Sequence, residues 1–216
     1  MAIYIYTDEF IREPWENTVA YYPFKEDYND KVWSRTLSTS WCSISWGYLN
    51  IERDSSYIQL SQWISNSILT INVRHYYWAN SSSVYWNWNA LFANSAEQEH
   101  ACFPANTSRG FQVGKVWFFN DSFVQWDTII SLANRYNIII VKDWTNETIY
   151  INWENVLDAT SFDNANYPVN FIWSCATNKP EAAQWKMSEL IFESKKWTAQ
   201  EVADYFNQTK SNYGIQ

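Results

Sequence analysis

The sequence predicts an all-β, two-sheet antiparallel sandwich closed by a short C-terminal helix. Three observations carry this. The chain is a succession of short apolar-alternating segments separated by polar turns. Two of those junctions read as tight hairpins. The one convincing helical pattern lies at the end of the chain. With 216 residues, 47% of them apolar, and a mean hydropathy of -0.42, the chain has material for one large core and is not a disordered polymer.

The segments are, in order, TVAYYPF, SISWGYLNIE, YIQL, SILTINVRHYY, VYWNWNALFA, GFQVGKVWFF, NRYNIIIVK, TIYIN, VNFIWS and KMSELIF. Each is of strand length and rich in β-branched and aromatic residues. In the segment from Ser67 to Tyr77, Leu69, Ile71 and Val73 alternate with Thr70, Asn72, Arg74 and Tyr76, which sends the two sets to opposite faces. The terminal helix starts at Thr198 as N-cap with Glu201 at the capping-box position, followed by an apolar stripe of Val202, Tyr205 and Phe206. Before the sandwich, Ile3–Tyr6 and Phe10–Arg12 read as a short hairpin. The expected division is therefore an N-terminal hairpin extension over 1–16, the sandwich domain over 17–195, and the helix with a loose tail over 196–216.

The composition holds one anomaly: 15 tryptophans against 4 glycines, where glycine ordinarily makes up about 7% of a protein. Tryptophan also stands where glycine is expected. Asn152-Trp153 separates two strands where a hairpin favours Asn-Gly, and Asp143-Trp144-Thr145-Asn146 stands where Asp-Gly would be the usual turn. Trp33 after Asn29-Asp30, Trp46 beside Gly47, Trp86-Asn87-Trp88, and Trp197 before the helix follow the same pattern. The abundance of Asn, Ile, Tyr and Ser points to an A/T-rich gene. One reading is that many or all of these tryptophans are UGA codons that the source organism decodes as glycine. The other is a truly tryptophan-rich protein, with rings that stack on sugars or fill the core.

Charge and motifs exclude several functions. A net charge of -8 and a pI near 4.7, with no Lys/Arg cluster, argue against nucleic-acid binding. No apolar run reaches the roughly 18 residues of a membrane span, and the start MAIYIYTDEF lacks the basic and apolar regions of a signal peptide. Cys42, Cys102 and Cys175 are too scattered for a metal pair or a disulfide framework. His75 and His100 have no partner at metal-ligand or triad spacing, and Glu52-Arg53-Asp54 lacks the further acid a glycan hydrolase of alternating carboxylates would use.

The ordered motifs resemble the laminin-G-like, concanavalin A-like jelly-roll domains of bacterial and phage surface proteins, over roughly Thr18 to Phe206. NTVAYYPF followed by Asn29-Asp30 is similar to the family's first strand and turn. Ser67 to Tyr77 is similar to its long strand. NIIIVKDWTNETIYINWENV resembles its paired strands, with Trp153 where the family has glycine. Phe171-Ile172-Trp173-Ser174, then Trp185 to Phe192, then Trp197 to Val202 resemble its closing strands and helix start. The likeness implies a non-enzymatic carbohydrate-binding or adhesion module at a cell surface or virion, with a glycan or protein partner. A purely structural domain of a larger extracellular or tail-like assembly, docked through the N-terminal hairpin, is the alternative, and a glycan hydrolase a weaker one. No cofactor is required, though Ca2+ is common in the family, and Asp30, Asp121, Asp127 and Asp143 in turns supply oxygen donors of the right kind. The expected ligand face is the outward one, with Asn72, Arg74, Tyr76 and Tyr150 open to a glycan whose hydroxyls take polar contacts and whose CH face stacks on a ring.

Overall fold

The computed structural model describes residues 15–33, 35–40, 42–51, 57–64, 69–77, 92–93, 99–104, 111–115, 124–125, 135–143, 146–159, 169–172 and 185–213. The predicted hairpin strands Ile3–Tyr6 and Phe10–Arg12 of the 1–16 extension, Glu52-Arg53-Asp54, Asp121, Asp127 and Cys175 fall outside these residues. The described strands are β1 (Thr18–Tyr22), β2 (Leu37–Ser40), β3 (Cys42–Ser45), β4 (Tyr48–Ile51), β5 (Tyr57–Ile64), β6 (Thr70–Tyr77), β7 (Phe92–Ala93), β8 (Glu99–Pro104), β9 (Phe111–Lys115), β10 (Val124–Gln125), β11 (Arg135–Asp143), β12 (Asn146–Ile151), β13 (Glu154–Ala159), β14 (Val169–Ile172) and β15 (Trp185–Glu193). Helix α1 (Ala199–Thr209) follows.

The strands form two antiparallel sheets. One runs β13-β12-β11-β6-β15-β4-β3, with β1 also paired to β15; the other runs β10-β9-β8-β7-β14-β5-β2. This is the all-β sandwich with a short C-terminal helix that the alternating segments predict. Its core lies between the sheets, where Ile71, Val73, Ile138, Ile140, Leu190 and Phe192 of the first meet Leu37, Ile58, Leu60 and Ile64 of the second. Strand β6 is central in its sheet, between β11 and β15.

A second layer lies on the other face of that first sheet. Tyr21, Ile139, Val141, Tyr150 and Ile191 pack against Trp197, Val202 and Tyr205. Strand β11 is therefore buried on both sides: Ile138 and Ile140 face the sandwich core, Ile139 and Val141 face the helix. A run of four consecutive β-branched residues is what such a strand requires.

The helix starts where its sequence says. Glu201 N–H donates to Thr198 Oγ1 at 3.2 Å, and Thr198 N–H donates to Glu201 Oε2 at 2.8 Å, completing the capping box. Trp197 before the cap shares its cluster with Val202, four residues past it, which is the hydrophobic-staple arrangement. Thr198→Ala is expected to lower stability by about 1 kcal/mol, read as a lower midpoint in urea with an unchanged m-value.

Candidate functional site

The expected ligand face is a buried interface, which corrects the reading of that face as open. Asn72, Arg74 and Tyr150 do point away from the sandwich core, yet Asn72 is 0%, Arg74 1% and Tyr150 8% exposed. Helix α1 packs over Arg74 and Tyr150, and Asn72 pairs with Asn137 of the neighbouring strand. The Tyr76 side chain lies outside the described residues, and only its backbone place on β6 is fixed. Burial, and then the charge of Asp158, push the Tyr150 hydroxyl above its ordinary pKa, as expected of a group withdrawn from water.

The Arg74 charge on this face is met internally. Arg74 lies 3.4 Å from the Glu189 carboxylate through Nε, donates to the Tyr205 hydroxyl at 3.3 Å and to Thr209 Oγ1, and stacks its guanidinium 4.8 Å from the centroid of the Tyr205 ring. Glu189 also accepts from the hydroxyls of Tyr205 and, at 3.3 Å, Tyr21. Asn137 donates to Asn72 Oδ1 at 2.5 Å. Arg74 and Glu189 thus tie the helix to the sheet, and the polar set is a seam between layers.

The opening in this layer is beside the helix. Trp15 N–H donates to Thr18 Oγ1 at 2.9 Å, Thr18 N–H donates to Trp15 O at 2.9 Å, and Ser194 N–H donates to Asn17 O at 2.9 Å. These bonds fold the lead-in to β1 over the end of β15 and leave a cleft of about 310 Å3 between residues 15–17 and α1. Its aromatic wall is Trp15, Trp197 and Tyr205, with centroids 5.1 Å apart for Trp15–Trp197 and for Trp197–Tyr205, and 5.8 Å for Trp15–Tyr205. Trp15 remains 43% exposed. Asn17, Asp204 and Gln208 bring polar groups to the same space.

The cleft is acidic. Glu16, Glu193, Glu201 and Asp204 line it, against Lys195. Glu193 is buried and accepts from Thr18 Oγ1 at 2.9 Å, while Lys195 pairs with Glu201. The hydrogen bond from Lys195, then that from the Thr198 backbone, hold the Glu201 carboxyl below its usual range. Its contribution to the helix start is present at neutral pH and is lost as pH falls through that lowered value.

Two of the four turn aspartates, Asp30 and Asp143, lie among the described residues, and both have protein partners. Asp30 accepts from Tyr21 N–H and Val32 N–H at 2.9 Å and from Arg35 at 3.0 Å, so protein donors occupy both its oxygens. Asp143 pairs with Lys196. Among the described residues no group of three His, Cys, Asp or Glu side chains is placed to hold a metal, and no helix is long and apolar enough to cross a membrane.

The cleft was not legible in the sequence, because it joins residues 15–17 to residues 193–208. Trp15 was visible only as a member of the tryptophan excess, and Trp197 only as that and as the residue before the helix.

No family model matches the chain, and no curated protein matches it. Solved structures do. Domain 4 of AbnA, a GH43 extracellular arabinanase from Geobacillus stearothermophilus, solved with arabinotriose, superposes with a TM-score of 0.62 at 12% identity, over 87% of this chain and 97% of that one. Trypanosoma rangeli sialidase in complex with sialic acid gives a TM-score of 0.71 at 7% identity, over 92% of this chain but 34% of that one. The binding domain of Paraclostridial Mosquitocidal Protein 1 gives 0.67 at 14% identity, over 89% and 52%. The chain thus spans nearly all of the arabinanase domain, about half of the toxin binding domain and about a third of the sialidase. At these identities the likeness is one of fold: this chain has the β-sandwich architecture that these proteins contain.

Proposed function

We propose that the protein is a non-enzymatic carbohydrate-binding module, displayed at a cell surface or virion, that seats a neutral glycan in the cleft between residues 15–17 and α1. The observation that carries this is the half-exposed Trp15 ring set beside Asn17, Asp204 and Gln208. A sugar's CH face stacks on such a ring while its hydroxyls bridge carboxylate and amide. The acidic lining disfavours anionic sugars, so a neutral chain is the better fit. The sandwich shared with an arabinanase domain solved with arabinotriose supports the same reading. Binding rather than hydrolysis is favoured because two of the cleft's carboxylates are committed to the fold: Glu193 is buried and accepts from Thr18, and Glu201 is held by Lys195 and the helix start.

The test is isothermal titration and affinity electrophoresis with arabinotriose, xylo- and cello-oligosaccharides, and sialyllactose. Saturable binding of a neutral oligosaccharide is expected, with Trp15→Ala weakening it about tenfold, on the order of 1.4 kcal/mol. Gln208→Ala should weaken it less, and both variants should keep the wild-type Tm within a few degrees. Binding that survives Trp15→Ala moves the ligand elsewhere. Release of reducing sugar over time would make the protein a hydrolase.

A further inference from the structure

Two hairpins in the first sheet are closed by two-residue loops. Ser45 pairs with Tyr48 around Trp46-Gly47, and Ile151 pairs with Glu154 around Asn152-Trp153. All four loop residues have positive φ: 56° and 71° in the first, 49° and 76° in the second. Positive φ at both central positions is the mark of a type I′ turn, whose right-handed twist matches the strands and whose usual occupants are Asn-Gly and Gly-Gly. A bulky side chain is a true outlier there.

Neither ring is buried in exchange. Trp46 is 89% and Trp153 49% exposed. Asn152, which tolerates this backbone, fits its place: its Oδ1 accepts from Asn137 N–H at 2.9 Å. Trp197 is the contrast. It is 2% exposed, packs on Tyr205, and has no positive φ. Among the described tryptophans, Trp46 and Trp153 thus stand in glycine's conformation, whereas Trp197 packs as tryptophan packs.

We propose that positions 46 and 153 are glycine in the native protein, encoded by UGA in an organism that reads UGA as glycine. The change at these two positions moves the chain's 15 tryptophans and 4 glycines toward an ordinary composition. The native loops become Gly-Gly and Asn-Gly, the preferred occupants of this turn. Neither hairpin touches the cleft, so the inference stands apart from the proposed glycan binding.

The experiment is to read the codons at 46, 153, 15 and 197 in the coding DNA, and to measure the masses of the matching peptides of the protein from its source. UGA codons and glycine masses at 46 and 153 are expected; UGG or a tryptophan mass at either overturns the inference. UGG at 15 and 197 leaves the aromatic wall in place. UGA there extends the recoding and removes that wall, so the glycan site would fail while this inference held. As a second measurement on recombinant protein, Trp46→Gly and Trp153→Gly should each raise Tm by roughly 2–4 °C. An unchanged or lowered Tm would remove the conformational ground for the inference and overturn it.

Discussion

Replacing Glu189 with alanine is expected to destabilise the protein by about 3–5 kcal/mol, because it leaves the Arg74 charge buried without its counter-ion. Arg74 and Glu189 are each 1% exposed, so water cannot take over the lost contacts, and the hydroxyls of Tyr21 and Tyr205 lose their acceptor as well. For a chain of this size the loss corresponds to a fall in Tm on the order of 6–20 °C. The double replacement Arg74→Met with Glu189→Leu should recover most of it, since removing both charges removes the desolvation cost along with the attraction. A single variant within 1 kcal/mol of wild type would mean that α1 does not exclude water from this seam. Thermal and urea denaturation of the two variants and the wild type decide the matter.

Ile139→Ala is expected to cost about 2–5 kcal/mol, the range for truncating a fully buried aliphatic side chain. Its neighbour Ile140 faces the opposite way, into the sandwich core, and should cost as much. The comparison matters more than either value. If the helix layer is as close-packed as the core, the two substitutions are equivalent. A loosely covered face would leave Ile139→Ala below 1 kcal/mol and Ile140→Ala at its full cost. Urea titrations with matched m-values make the comparison.

These predictions also mark where the sequence could be read and where it could not. The β12–β13 hairpin was legible because Asn152-Trp153 fell between two apolar runs. The orientation of β6 was legible from strict alternation, with Ile71 and Val73 inward and Asn72 and Arg74 outward, as the structure has them. The error was to equate outward with open. Asn72 and Arg74 are polar and yet buried, because their partners arrive from 65 to 135 residues away. Alternation within one strand carries no trace of such partners. Two signals did point to a covered face: the unbroken run Ile138–Val141, and the apolar stripe of α1, which needs a surface to rest on. The shorter strands, such as β2 and β10, lacked the length or the apolar content to stand out.

The pairing of β15 bears on how the molecule is made. This strand sits between β6 and the β1–β4 side of its sheet, and it joins Thr18 to Glu193. Contacts of that sequence separation raise the contact order and slow folding. During synthesis from the N-terminus, β1 and one side of β6 wait as unpaired edges until β15 has emerged, and exposed edges of this kind invite pairing with other chains. Folding is then completed from the C-terminal end, with β15 closing the sheet and α1 locking it through Arg74. Recovery of soluble protein should accordingly be far more sensitive to truncation before residue 193 than to changes in the loops of the second sheet.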